Sequence, residues 1–270
     1  MVASLRRVTL LTDYGERDGY PGAMKGAVLS ECPDAHLTDL THTIAPQDTL
    51  AGAVAVWTAT LPFPPGTVHL VVIDPDVGTE RAGLIVQWAQ QTYVAPDSGV
   101  LHFVLRQPDA KTWHIDPKLR RAGAGTTFDG RDWFGPVAGK LAAGAHPEEL
   151  GRPAEAEFSL SLPDPRFDTH RWVGHVLHVD RFGNIISDLP APAAELQRHA
   201  RVFVKEQPIG PIRNAFASVG AGSAVATIGA LGTVEVGINC GDACRRFAVQ
   251  RGDSFELLFA APTEPPQMPW

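Results

Sequence analysis

Residues 67–74, TVHLVVID, run apolar without alternation and are rich in β-branched side chains. A strand with no polar face has no side to give to water, so it belongs inside a sheet covered on both faces. The neighbouring segments provide the cover. VTLLT (8–12) is a short apolar run ending in Asp-Tyr-Gly, read as a strand and turn, and HLTDLTH (36–42) alternates like a strand. YPGAMKGAVLSE and DTLAGAVAVWTATL carry helical patterns, and SGVLHFVL reads as a short helix. GLIVQW, TYVAPD and KTWHID read as further strands, and RDWFGPVAGKLAAG begins a helix that ends at glycine despite an internal proline. Strand-helix-strand alternation predicts an α/β N-terminal domain with a largely parallel sheet over residues 1–160.

The texture then changes. GRPAEAEFSLSLPDPRFDTH is rich in proline and charge and reads as a linker, placed at 161–170. After it come RWVGHVLHVD, NIISDL, RVFVKE, AVATIG, TVEVGIN and SFELLF, short strands separated by turn residues. Only PAAELQRHA looks helical. This pattern predicts a smaller all-β C-terminal domain, barrel or sandwich, over 171–261, followed by a proline-rich tail at 262–270.

Composition narrows the function. With 270 residues, 44% apolar and 20% charged, the chain can bury a sizeable core. A net charge of −7 argues against a nucleic-acid or anionic-membrane partner, both of which need a basic face. Cys32, Cys240 and Cys244 form no CxxC pair, which fits a reducing cytoplasm. The last two read as buried thiols rather than metal ligands. MVASLRRVTLLTDYG turns polar too soon for a signal peptide or a membrane span. The expectation is a cytoplasmic protein acting on a small molecule. No HExxH, GxSxG or GxGxxG stretch supports a zinc protease, a serine hydrolase or a dinucleotide site.

In open α/β sheets, ligands sit beyond the carboxyl ends of the strands. Asp13 follows VTLLT there and Asp74 follows VHLVVI, although aspartate also favours such junctions for purely local reasons. In IDPDVGTER, Asp74 and Asp76 lack the further acids of a divalent-metal site, and the single glycine gives no phosphate loop. Setting aside a tight turn closed by Pro75 and Gly78, Asp74 and Arg81 remain as a pair able to hold a small polar molecule such as water. In TTFDGRDWF, Asp132 fits a helix N-cap with Arg131 as its surface partner. Asp129, between Phe128 and Gly130, is not explained that way. HVDRFGNII is either a plain hairpin turn at Gly183-Asn184 or a ligand loop. In the second case Asp180 takes a cation, Phe182 faces a ring and Asn184 meets a heterocycle edge.

These segments together resemble the S-adenosylmethionine hydroxide adenosyltransferase family, which also includes fluorinating and chlorinating enzymes. The resemblance runs collinearly through TDYGERDGYPGAMKG, LTHTIAPQD, FPPGTVHLVVIDPDVGTER, YVAPDSGVL, TTFDGRDWFGPVAGKLAAG, VDRFGN and GTVEVGIN. It implies a homotrimer with ligand sites between subunits, no cofactor and no metal. It implies attack of water on the ribose C5′ carbon of S-adenosylmethionine, expelling methionine. By that resemblance Asp13 holds the ribose hydroxyls and Asp180 the methionine ammonium. Phe182, Asn184 and the backbone around Asn239 and Cys240 flank the adenine. Asp74 and Arg81 match two of three water-holding residues. The third is histidine in the hydrolases, in the pattern F-H-G-R-D, and here it is Asp129. Gly130 stands where the halogenating branch has serine, which disfavours halide chemistry. Ala230 and Leu231 replace the usual Ser-Ser or Ser-Arg.

The chemistry itself is undemanding on the leaving side, because a sulfonium departs as a neutral thioether. The nucleophile is the difficulty, since bulk water has a pKa of about 15.7. Free aspartate, at about 3.9, is a weaker base than histidine at about 6.5. The resemblance therefore implies slow hydrolysis. Its alternative is an adenosine- or S-adenosylmethionine-binding protein with little or no turnover.

Overall fold

The seven-stranded sheet of the first half is organised around one buried strand. In the computed structural model, which describes residues 5–123, 125–260, 262 and 268–270, the elements follow in order. They are β1 (Arg7–Thr12), α1 (Tyr20–Glu31), β2 (His36–Thr41), α2 (Thr49–Thr60), β3 (Val68–Val72), β4 (Gly83–Trp88) and β5 (Gln91–Pro96). Then come α3 (His102–Leu105), β6 (Lys111–Ile115), α4 (Gly135–Ala143), α5 (Pro147–Leu150) and β7 (Gly151–Pro153). The strand order is β2-β1-β3-β5-β4-β6-β7. Every residue of β3 is buried, and β1 and β5 flank it in parallel.

The sheet is mixed rather than largely parallel. β2, β1, β3 and β5 run parallel, whereas β5/β4, β4/β6 and β6/β7 are antiparallel. The reversal has a local cause. Only Ala89 and Gln90 join β4 to β5, and both have positive φ, 49° and 62°. Two residues in that conformation make a tight hairpin, whereas a parallel return needs a crossover of a dozen or more.

Helices cover both faces of this sheet. Val8, Leu10, Val68, Leu70 and Val72 pack with Met24 and Val28 of α1 and Val137 and Ala138 of α4. Each Val, Leu or Met among them contributes about 1.5–3 kcal/mol when buried. α1 and α4 approach closely because Gly139 has no Cβ; one would strike the carbonyl of Val28. The alternate residues of β1 and β3 face α2. They include a buried polar chain in which Thr9 Oγ1 lies 2.7 Å from His69 Nδ1, and His69 Nε2 lies 2.5 Å from Gln91 Oε1. The Gln91 amide donates to the Phe63 carbonyl at 2.9 Å. Oε1 must therefore accept from Nε2, and Nδ1 accepts from the threonine hydroxyl. Burial lowers His69 from 6.5 to about 4, so the ring is neutral.

The described chain divides into two compact units, residues 1–160 with Trp270 and residues 161–269. The second contains β8 (Arg166–Phe167), β9 (Arg171–Val179), β10 (Ile185–Pro190), α6 (Ala194–Gln197) and β11 (Arg201–Val204). It continues with β12 (Gln207–Pro211), β13 (Ala224–Ile228), β14 (Thr233–Ile238), α7 (Ala243–Phe247) and β15 (Ser254–Leu258). The strand order is β12-β11-β15-β9-β10-β14-β13, and the pairings among these strands are antiparallel. A single bridge between Ile212 and Ala226 links the two ends, so the sheet is nearly a closed barrel. Trp172, Ile185, Leu189, Val202, Val234 and Phe255 fill its core.

Several local expectations need correction. The stretch read as a linker contains β7, and also β8, which pairs with β9. β12 and α7 add a strand and a helix to those the sequence pattern predicts. Cys240 is exposed and Cys244 half-buried, so only Cys32 behaves as a buried thiol. Residues 1–4 of the N-terminal stretch and 263–267 of the proline-rich tail lie outside the described residues.

Candidate active site

Asp74 lies just beyond the end of β3, and Arg81 closes the same turn ahead of β4. Arg81 grips Asp74 side-on, with Nε donating to Oδ1 at 2.7 Å and Nη2 to Oδ2. The same Nη2 donates to Asp129 Oδ2 at 2.6 Å. Asp74 and Asp129 thus share one guanidinium, with Asp129 lying 48 positions beyond Arg81. The side chains of Arg81, Asp74 and Asp129 are 2%, 6% and 1% exposed. A fourth charge, which the sequence did not single out, completes the group: Arg120 Nη2 donates to Asp129 Oδ2 at 2.9 Å. Two arginines and two aspartates leave no net charge. Aromatic faces back the cations, with Arg81 5.0 Å from the Phe134 ring centroid and Arg120 4.4 Å from that of Trp133.

Three polar atoms in this group have no hydrogen-bond partner among the described residues: Asp129 Oδ1, Arg81 Nη1 and Arg120 Nε. The first accepts and the other two donate. Leaving such atoms unmatched is costly in a folded protein, about 1–3 kcal/mol each and more for charged groups. Burial raises the Asp74 carboxyl, Arg81 opposes that rise, and the charge of Asp129 adds to it. For Arg81, burial works against the charge, but Asp74 and Asp129 outweigh it and the guanidinium is raised.

The local fold explains how Asp129 is presented. Gly130–Phe134 forms a π-helical turn that runs into α4, with Asp129 immediately before it and making no side-chain cap. Asp132 is therefore not the expected N-cap. It sits inside the turn, fully buried, in a two-pronged pair with Arg131 at 2.8 and 2.6 Å. Pro136 has no N–H for the Asp132 carbonyl, and Arg121 N donates to that carbonyl instead, at 2.8 Å. The loop carrying Arg120 is thereby tied to the helix start carrying Asp129.

Tyr14 is a further residue that the sequence reading passed over. Burial raises its phenol well above the usual range, with Asp74, Asp13 and Asp129 adding to the effect, so it stays protonated. Its hydroxyl lies where a Cβ on Gly130 would be, so a side chain there would collide with it. Asp13 Oδ2 accepts from the Gln47 backbone N–H at 2.7 Å. His42 secures this turn, with Nδ1 2.8 Å from Thr12 Oγ1 and its carbonyl accepting from Gly15 N at 2.7 Å.

In the second unit, Asp180 organises its own hairpin. Its Oδ1 accepts from Phe182 N at 2.9 Å and Asn184 N at 2.8 Å, and its Oδ2 from Asn184 Nδ2 at 2.8 Å. A carboxylate has about four acceptor positions, so one remains on Oδ2. Asn184 keeps its carbonyl oxygen as an acceptor. Phe182 is 75% exposed. Asn239 Nδ2 is taken by the Val219 carbonyl at 2.7 Å, and Cys240 has a positive φ of 59°. HVDRFGNII does form a turn, but one centred on Arg181-Phe182 rather than Gly183-Asn184, closed by Gly183 N donating to the Asp180 carbonyl at 3.0 Å. Among the described residues, no three or more His, Cys, Asp or Glu side chains are grouped to hold a metal ion. No described helix is long and apolar enough to cross a membrane.

Fold and site define a two-domain protein: a mixed-sheet α/β unit with a buried, charge-balanced Asp-Arg-Asp-Arg group at its strand ends, followed by a nearly closed antiparallel barrel. The chain belongs to the S-adenosylmethionine hydroxide adenosyltransferase family. Residues 8–151 match its N-terminal domain and residues 174–256 its C-terminal domain. It is 34% identical over 267 residues to the (R)-S-adenosyl-L-methionine hydrolase of Thermus thermophilus, covering 94% of this chain and 100% of that one. It is 34% identical over 262 residues to the enzyme of the same name from Salinispora arenicola, covering 95% and 99%. An uncharacterized conserved protein from Thermotoga maritima has a similar structure, with a TM-score of 0.84 at 30% identity over 93% of this chain and 99% of that one.

Proposed function

We propose that this protein hydrolyses S-adenosyl-L-methionine to adenosine and L-methionine, with Asp74, Arg81 and Asp129 handling the attacking water. The observation that carries the assignment is an acceptor and a donor among the unmatched buried atoms, Asp129 Oδ1 and Arg81 Nη1. Water, which both donates and accepts, satisfies the two together. The near-full-length likeness to two named hydrolases supports the same chemistry.

In the reaction the water oxygen bonds to ribose C5′ while the C5′–S bond breaks and sulfur keeps the electron pair. One water proton passes to Asp129 and on to solvent. The sulfonium leaves as neutral methionine thioether, so no acid need protonate it, and neither cofactor nor metal takes part. Placing water in line with the C–S bond is the main catalytic task. Asp13 would hold the ribose hydroxyls, and Asp180 would take the methionine ammonium on its remaining lone pair. Phe182, Asn184 and the Asn239–Cys240 backbone would flank adenine. The family resemblance also supports a cytoplasmic homotrimer with sites between subunits, which light scattering tests.

Incubation with S-adenosylmethionine should yield adenosine by chromatography. Asp129→His should raise the rate. No adenosine from the wild-type protein would overturn the proposal. A second reading, a nucleoside binder with little turnover, is favoured by the two arginines that hold Asp129 where the hydrolases have histidine. It predicts calorimetric affinity for S-adenosylmethionine without product.

A further inference from the structure

We infer that Arg120 is a positioning residue for the attacking water, acting through Asp129; this rests on the hydrolase reading. Both guanidinium groups that reach Asp129 donate to the same oxygen, Oδ2, at 2.6 Å from Arg81 and 2.9 Å from Arg120. The carboxylate is therefore fixed in rotation, and Oδ1 is presented as the acceptor. Arg81 alone would leave a carboxylate held by one hydrogen bond, free to swing Oδ1 towards the unmatched Arg81 Nη1.

Arg120 is itself held in place. Its guanidinium lies 4.4 Å from the Trp133 ring centroid, and its side chain is 28% exposed. Its backbone N–H donates to Pro117, and the next residue, Arg121, donates to the Asp132 carbonyl that Pro136 leaves unused. Trp133 and Asp132 lie in the π-helical turn that follows Asp129. The loop bearing Arg120 and the turn presenting Asp129 are thus joined by a ring contact, a main-chain hydrogen bond and the ion pair.

Charge gives Arg120 a second role. A neutral histidine beside Asp74 and Arg81 makes a balanced group of two charges, whereas an aspartate adds a negative one. The transition state disperses the sulfonium charge, so an uncompensated carboxylate stabilises bound substrate more than the transition state. Arg120 restores the balance. Removing it should slow turnover while leaving substrate binding as tight or tighter, a pattern that loss of packing does not produce.

The test compares Arg120→Met, Arg120→Gln and Arg120→Lys, each with Asp129 and with Asp129→His. Adenosine formation gives kcat, and calorimetry gives the Kd for S-adenosylmethionine. With Asp129 present, Arg120→Met is expected to lower kcat at least about tenfold with Kd unchanged or lower. Arg120→Lys should recover part of the loss and Arg120→Gln little of it. With Asp129→His, the Met substitution should change kcat less than about twofold. Should Arg120→Met fail to fold, the ranking of Lys above Gln in kcat decides. Equal losses in both backgrounds, an unchanged kcat, or a weakened Kd with kcat preserved each overturn the assignment of Arg120 while leaving the hydrolase reading standing. A wild-type protein that makes no adenosine overturns both.

Discussion

Arg81 holds Asp74 through two donors across a seven-residue turn, and the pair is almost wholly shut off from solvent. Breaking a buried pair by removing one partner strands the other, at a typical cost of about 3–5 kcal/mol. Arg81→Met removes the donors to two buried carboxylates at once, Asp74 and Asp129. We predict a loss of stability at or above that range by urea unfolding, and no detectable adenosine from any folded fraction. Arg81→Lys keeps the charge but not the fork, so it should retain part of the stability and little of the turnover. An Arg81→Met variant as stable as wild type would remove the ion pair from the account of this site.

Gly130 and Tyr14 form a matched pair. A Cβ on Gly130 would collide with the Tyr14 hydroxyl, and it would also press on Met24 Sδ at 3.2 Å. Overpacking of this kind costs about 1–3 kcal/mol. Gly130→Ala should therefore lower the melting temperature, and Tyr14→Phe should recover part of the loss in that background while giving none in the wild type. Additive effects of the two substitutions would show that the contact is not the cause. A serine here, as in the halogenating branch, meets the same obstacle.

Some of this was legible in the chain and some was not, for physical reasons. TVHLVVID announces a central strand because a strand buried on both faces has no alternation to hide, and the acids beyond β1 and β3 follow from where such strands end. The pairing of Asp74 with Arg81 is short-range and readable. The switch to antiparallel pairing after β5 is obscured because Ala89-Gln90 carries neither glycine nor asparagine, although both residues are left-handed. The two-residue spacing emerges only in the structure, where β5 begins at Gln91. Asp132 looked like a cap because a polar residue precedes an apolar run, but the π-helical turn starts earlier and draws it inside. Arg120 gave no signal. Its loop has no periodicity, and its role depends on Trp133 and Asp129, which reach it only through the tertiary fold.

Cys240 lies in left-handed backbone at φ 59°, with its side chain exposed. A Cβ in that region costs about 1–2 kcal/mol, and glycine avoids it at the expense of a looser unfolded chain. Cys240→Gly should stabilise the second unit by up to about 1 kcal/mol in urea unfolding. Since the proposed contact with adenine uses the backbone, adenosine affinity should stay within about twofold. Destabilisation would mean that the side chain, whose Sγ lies 3.5 Å from Asn239 Oδ1, contributes more than the strain removes.

His69 sets a pH dependence of stability from within the sheet. Its ring is locked between Thr9 and Gln91, and burial lowers its pKa from 6.5 to about 4. Between those two values the unfolded chain binds a proton that the folded chain refuses, so stability must rise with pH across that window. The contribution is complete above about pH 6.5 and is lost as pH falls towards 4. The gap corresponds to about 3 kcal/mol, at about 1.4 kcal/mol for each pH unit. Urea unfolding at pH 7 and pH 4.5 should show most of that difference. The ring resonances of His69 should stay at their neutral positions by NMR until the pH nears 4. Titration of this histidine near pH 6.5 in the folded protein would mean that the Thr9–His69–Gln91 chain is open to water rather than buried between β1, β3 and β5.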